Sequence, residues 1–198
     1  MLRSASHLKG TSLAATDGEI GSVQDLYFDD LTWTVRYLIV DTGAWLPGRQ
    51  VLISPRSVRS ATDENRVPVA LSKEQVKNSP SIDTDKPVDR QYEAQYSQYY
   101  GYPYYWGGPY RWGATPYPSG GLLTEARAVS AALPSGDSRL RSARNVMGYY
   151  IEAVDGDIGH VEDFLVDDHE WAIRYMIVDT RNWWPGKKVI ISPDGSTA

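Results

Sequence analysis

The residues of this chain that could do chemistry are three histidines, two acidic clusters, two matched arginines and two tryptophan-bearing loops. His7, His160 and His169 could act as general bases only beside a nucleophile held at hydrogen-bond reach. The chain contains an internal repeat, and a duplicated reaction centre would repeat its base. At the matching repeat positions His7 meets Asn145, His160 meets Ser22 and His169 meets Leu31. No catalytic residue is therefore assigned, and the expected class is non-enzymatic. Asp29-Asp30 and Asp167-Asp168-His169-Glu170 carry the oxygen ligands that Ca²⁺ or Mg²⁺ would choose. They lack EF-hand spacing, and Asp-Asp at a hairpin tip is commonly a solvated turn, so no metal is assigned. Gly107-Gly108 and Gly120-Gly121 lie outside any strand–loop–helix context for phosphate binding, so no cofactor is expected.

Arg36 and Arg174 sit at matching places inside an otherwise apolar run. Their candidate partners are Asp25 and Asp163 on the neighbouring strand, or Asp41 and Asp179 at the strand end. A cross-strand ion pair contributes about 0.2 to 1 kcal/mol. A structural pair is the favoured reading over an anion site. The W-x-P-G loops are the candidate partner-binding elements: Trp45 and Pro47 in one copy, Trp183, Trp184 and Pro185 in the other. Two readings stand side by side. The tryptophans plug an end of their own barrel, or they are exposed anchors of the kind that dominate interfaces.

The repeat positions all of these. DGEIGSVQDLYFDDLTWTVRYLIVDTGAWLPGRQVLISP, from Asp17 to Pro55, returns without a gap as DGDIGHVEDFLVDDHEWAIRYMIVDTRNWWPGKKVIISP, from Asp155 to Pro193. The match reaches upstream, pairing Leu2-Arg3-Ser4-Ala5 with Leu140-Arg141-Ser142-Ala143. A repeat of this length means two copies of one folding unit. Leu8–Thr16 reads as a first strand, Asp17-Gly18 as a tight hairpin turn, and Ile20–Phe28 as a second strand with Gly21 at a bulge or close approach. Trp33–Val40, β-branched and aromatic on both faces, is the strongest strand, and Gln50–Ser54 follows it. Val58–Ala61 and Arg66–Leu71 suggest a last hairpin, and Ser72 with Gln75 has capping-box spacing for a short helix. Short strands at this spacing, with no helical period between them, predict small antiparallel all-β barrels.

The expected domains are residues 2–90, a linker over 91–138 and residues 139–198. The linker opens as QYEAQYSQYYGYPYYWGGPYRWGATPY, where Tyr, Gly and Pro dominate and aliphatic residues vanish. That composition predicts largely irregular chain, with an aromatic arm lying on a barrel or a partner as the sharper alternative. Leu122–Leu133 has weak helical character. After Pro193 the second copy lacks counterparts of the last hairpin and short helix, and an incomplete barrel exposes an edge that invites pairing. A linker segment or the matching edge of another chain would serve, the latter giving a homo-oligomer, two-fold symmetric in the simplest case.

Composition narrows the function classes. A net charge of −5 over 198 residues, with acids concentrated in the second copy, argues against a nucleic-acid surface. The absence of cysteine excludes disulfides and thiolate chemistry. The N-terminal stretch lacks the apolar run of a signal peptide, and no stretch approaches a membrane span; a cytoplasmic location is expected.

Both copies carry D-G-x-I-G-x-V-x-D, an acidic turn, R-Y-x-I-V-D and V-x-I-S-P. This set resembles the PRC-barrel family, which includes the cytoplasmic domain of the photosynthetic reaction-centre H subunit and the C-terminal domain of the ribosome maturation factor RimM. The tandem pair joined by a Tyr-rich linker looks like the stand-alone bacterial members. The resemblance implies a small β-barrel and a protein-binding adaptor or assembly role. It also implies two alternatives: a peripheral accessory of a membrane photosynthetic or respiratory electron-transfer complex, and a ribosome-associated factor.

Overall fold

The computed structural model describes residues 1–59, 65–82, 88–118, 139–153, 156–180 and 187–193. The fold is all-β, as the strand pattern predicts, with few and short helices. The first copy runs β1 (Leu2–Ser4), α1 (Ala5–Leu8), β2 (Ser12–Ala15), β3 (Gly18–Asp29), β4 (Thr34–Asp41), β5 (Gln50–Ile53) and β6 (Arg66–Pro68). Two helices come next, α2 (Lys73–Lys77) and α3 (Arg90–Tyr100). The second copy repeats the order as β7 (Leu140–Ser142), α4 (Ala143–Val146), β8 (Tyr150–Ala153), β9 (Gly156–Asp167), β10 (Ala172–Asp179) and β11 (Lys188–Ile191).

The two copies share one curled sheet. β4 and β10 meet where Thr34 pairs with Ala172, and the Val35 amide donates to the Trp171 carbonyl as the Ile173 amide donates to that of Trp33. Trp33 and Trp171 hold this junction with positive φ, at 50° and 55°. A single core runs through both copies: Val35, Leu38 and Phe28 from the first, Ile173, Val166 and Phe164 from the second. The Phe28 and Phe164 rings lie 5.6 Å apart across the junction.

The leading strands are exchanged. β1 pairs antiparallel with β9 of the other copy, Ser4 against Leu165, and β7 pairs with β3, Ser142 against Tyr27. The helical turns α1 and α4 travel with them. This exchange decides the roles of Asp25 and Asp163. The Asp25 carboxylate accepts the Ser142 hydroxyl at 2.5 Å and the Arg144 amide at 3.1 Å. The Asp163 carboxylate accepts the Ser6 amide at 3.1 Å and the Ser6 hydroxyl.

The expected pairs Arg36–Asp25 and Arg174–Asp163 are therefore not formed. The register explains why. Tyr27 pairs with Tyr37 and Phe28 with Val35, so Arg36 is the extra residue of a bulge; Arg174 is the extra residue between Ile173 and Tyr175. Each arginine lies off the ladder, more than two rungs from its expected aspartate. Arg174 bonds Asp167 at 3.3 Å and Glu170 at 2.6 Å instead.

The first hairpin lies one residue earlier than Asp17-Gly18. Ala15 pairs with Gly18, leaving Thr16 and Asp17 at the tip, and the Asp17 carboxylate accepts the Lys73 amide that opens α2. The Ser72–Gln75 capping box forms as its spacing predicts. The expected second hairpin is different. Val58 and Val69 make an isolated antiparallel bridge, while β6 pairs parallel with β2. β8, the counterpart of β2, has no strand on its outer side among the described residues. Asp155, and Leu122–Leu133 with its expected weak helical character, fall outside the described residues.

Candidate functional site

The outer face of the first copy is covered, and the same face of the second copy is open. In the first copy Tyr37 and Ile39 of β4 and Leu52 of β5 point away from the main core into a second apolar cluster. α3 covers it, which corrects the expectation of irregular chain from residue 91. The bracketing signals are local. Asp89 caps the helix by accepting the Tyr92 amide at 2.7 Å, and Gly101 ends it in the left-handed conformation with φ 71°. Tyrosines replace aliphatics as the packing residues. The Tyr96 ring meets Tyr37 edge-on at 5.1 Å, and its hydroxyl accepts the Ser54 amide at 2.9 Å and donates to the Leu52 carbonyl at 3.2 Å. Burial pushes the Tyr37 and Tyr96 hydroxyls well above the usual phenol range.

One buried carboxylate organises this cover. Glu93 is fully buried and accepts the Tyr105 hydroxyl at 2.8 Å and the Tyr37 hydroxyl at 3.1 Å. Arg90 pairs with it at 3.2 Å. Burial raises the Glu93 carboxyl above its ordinary range, even though Arg90 and the two hydroxyls favour the charged form. A carboxyl raised in the folded state supports stability below its unfolded pKa and loses that support as pH rises through the folded one. Relative to Glu93→Gln, which does not ionise, the wild-type protein should therefore lose urea resistance as pH rises from the unfolded carboxyl pKa through the raised folded one. A gap between the two midpoints that stays constant with pH would contradict the burial effect.

Beyond Gly101 the arm turns back over the sheet. Trp112 is fully buried; its indole N–H donates to the Glu170 carbonyl of the second copy at 2.9 Å. Its carbonyl accepts Arg56 Nη2 at 2.6 Å. Arg36 is 2% exposed, with its guanidinium carbon 3.7 Å from the Tyr105 ring centre and 5.1 Å from that of Trp112. Arg36 Nη1 donates to the Arg111 carbonyl at 2.5 Å and Nη2 to the Thr32 hydroxyl at 3.1 Å. Desolvation lowers the pKa of Arg36, and burial, with the Arg36 charge nearby, pushes the Arg56 guanidinium down to about 10.

In the second copy Tyr175, Ile177 and Ile190 stand at the positions of Tyr37, Ile39 and Leu52. Ile177 pairs with Ile190 as Ile39 pairs with Leu52. Tyr37 is 3% exposed and Leu52 1%, while Tyr175 is 38% and Ile190 63% exposed. An apolar surface that is core in one copy is thus left in water in the other. Sequence reasoning passed over this face because the strand residues themselves are nearly identical. The difference lies in α3, which has no counterpart on this face among the described residues.

In the first copy the ring of the tryptophan loop is half-buried against its own sheet. The Trp45 ring packs on the main core, its indole N–H donates to the Ile20 carbonyl, and the Lys73 ammonium sits 4.7 Å over its face. Pro47 is exposed at the loop tip. Trp183, Trp184 and Pro185 fall outside the described residues. The acidic turns are bonded as turns: Asp29 Oδ1 accepts the Leu31 and Thr32 amides at 3.0 and 2.9 Å, and Asp167 Oδ1 accepts the His169 amide at 3.0 Å. No helix among the described residues is long and apolar enough to cross a membrane.

No curated protein matches the chain. The family model of the PRC-barrel domain matches residues 2–76, a span that holds the exchanged strand, the four-strand meander, the half-buried Trp45 and the capped α2. Over these residues the chain is similar to the PRC-barrel domain.

Proposed function

We propose that this protein is a non-enzymatic docking module whose second copy receives an aromatic-faced helix of a protein partner. The observation that supports this reading is the open face of Tyr175, Ile177 and Ile190, set against the same face of the first copy under α3. The first copy shows what such an occupant looks like: a helix with tyrosines on one side, whose hydroxyls reach strand-end backbone groups. Aromatic side chains suit this task because they give large contact area with few rotatable bonds. An exposed apolar patch flanked by charged residues such as Lys188 and Glu162 fits a partner surface.

A synthetic peptide of residues 88–102 tests the face directly. It should bind the intact protein saturably, and Ile190→Asp should weaken it by about tenfold or more, since a charge in an apolar contact costs above about 1.4 kcal/mol. Equal binding by wild type and Ile190→Asp would remove the proposal. Light scattering at several concentrations separates the other occupant. A dimer that Ile190→Asp dissolves would assign the face to a second copy of this chain rather than to another protein.

A further inference from the structure

We infer that the first copy holds a binding pocket for a small organic carboxylate, at the place where the second copy carries its own. The two matched arginines differ in what answers their charge. In the second copy Glu170 reaches Arg174 Nη2 at 2.6 Å, with Asp167 beside it at 3.3 Å. The residue at the Glu170 position of the first copy is Thr32. The arginine is kept, the carboxylate is gone, and the hydroxyl that replaces it only accepts a single bond from Arg36.

The space is kept as well. A cavity of about 510 Å³ opens between the β3–β4 turn and the aromatic arm, lined by Thr32, Arg36, Arg90, Arg111, Arg139 and Trp106 among others. Four guanidiniums border it against one lining carboxylate, Asp29, whose Oδ1 is already engaged by the Leu31 and Thr32 amides and the Thr32 hydroxyl. Glu93 lies behind the wall, engaged by Arg90 and two tyrosines. Among the described residues Arg36 itself makes no ion pair, and its Nε bonds nothing. Asp29 and Glu93 act on Arg36 only from beyond contact. A buried cation with no carboxylate in contact is costly, and a bound anion answers it. The planar fork of a guanidinium matches a carboxylate in particular, which is the group the second copy places there.

The test uses the full chain and three probes at matched ionic strength: succinate, inorganic phosphate and sodium chloride. Succinate should raise the melting temperature saturably above the chloride control, as binding to the folded state alone requires. Thr32→Glu supplies the missing carboxylate from within. It should fold, melt at or above the wild-type temperature, and bind succinate at least about tenfold more weakly, a loss of about 1.4 kcal/mol. Arg139→Gln, at an exposed position of the lining, should weaken succinate without loss of folding. No saturable response beyond chloride would overturn the proposal. So would a response to phosphate alone, or a Thr32→Glu protein that binds succinate as the wild type does.

Discussion

Gly21→Ala should cost about 2 to 6 kcal/mol, the sum of about 1 to 3 for backbone strain and about 1 to 3 for overpacking. Gly21 has φ 151°, and a Cβ built on it would fall inside the Asp41 carbonyl oxygen, with Thr42 Cα at 3.0 Å. Backbone closes the space, so no side chain can swing aside. The position sits beside the register shift between Leu13 and Ala14, where β3 passes the end of β4. Gly159 repeats the arrangement against the Asp179 carbonyl with φ 148°. Gly10→Ala is the control: φ there is 85°, but a Cβ would meet nothing within 4 Å. It should cost only the conformational part, about 1 to 2 kcal/mol. Urea midpoints compare the three proteins. A Gly21→Ala protein no less stable than Gly10→Ala would show that the close approach carries no weight.

Trp112→Ala should cost a further large amount, about 3 to 5 kcal/mol, as removal of a buried indole does. Three attachments go at once: the ring between Arg36 and Arg56, the N–H bond to Glu170, and the apolar contact with the main core. Trp112→Phe keeps a ring and leaves the Glu170 carbonyl without its donor, so it should cost less, about 1 to 3 kcal/mol. The loss should also free the arm. Limited proteolysis between Tyr102 and Tyr117 should speed up in Trp112→Ala and hardly in Trp112→Phe. Cleavage at wild-type rates in Trp112→Ala would show that the arm is held by other contacts.

Much of the fold is legible in the residues. The gap-free repeat, the β-branched run of β4, the glycine at its close approach and the Ser72–Gln75 box each point to the element observed. Three things are not legible, for physical reasons. The exchange of β1 and β7 cannot be read from pattern, because Leu-Arg-Ser occurs in both copies and fits either partner strand equally. The registers set Asp25 opposite Ile39 and Asp163 opposite Ile177, and Arg36 and Arg174 fall in bulges nearer the turn, so neither arginine faces the aspartate that neighbouring strands suggest. The order of the aromatic arm is hidden by composition. Without aliphatics a segment looks coreless, yet Tyr96, Tyr105 and Trp112 pack as well as leucines once their polar atoms find backbone and Glu93. Asp89 and Gly101, bracketing eleven helical residues, are the available signal. The candidate anion pocket is half legible: Glu170 and Arg174 stand four residues apart, and the change to Thr32 is visible on alignment. What alignment does not show is that the arm walls the vacated space.

Because each half carries the other's opening segment, the halves are interlocked rather than strung like beads. Neither can lose its sheet without taking away the edge on which its sibling's segment lies, so the two should melt as one cooperative body. The architecture is that of a two-fold pair of subunits that clasp one another by trading their first strands, written into a single polypeptide. Fusion of such a pair makes its halves unequal for the first time. One half can then keep a lid and a pocket while its twin keeps a bare face, a division of labour closed to two identical subunits.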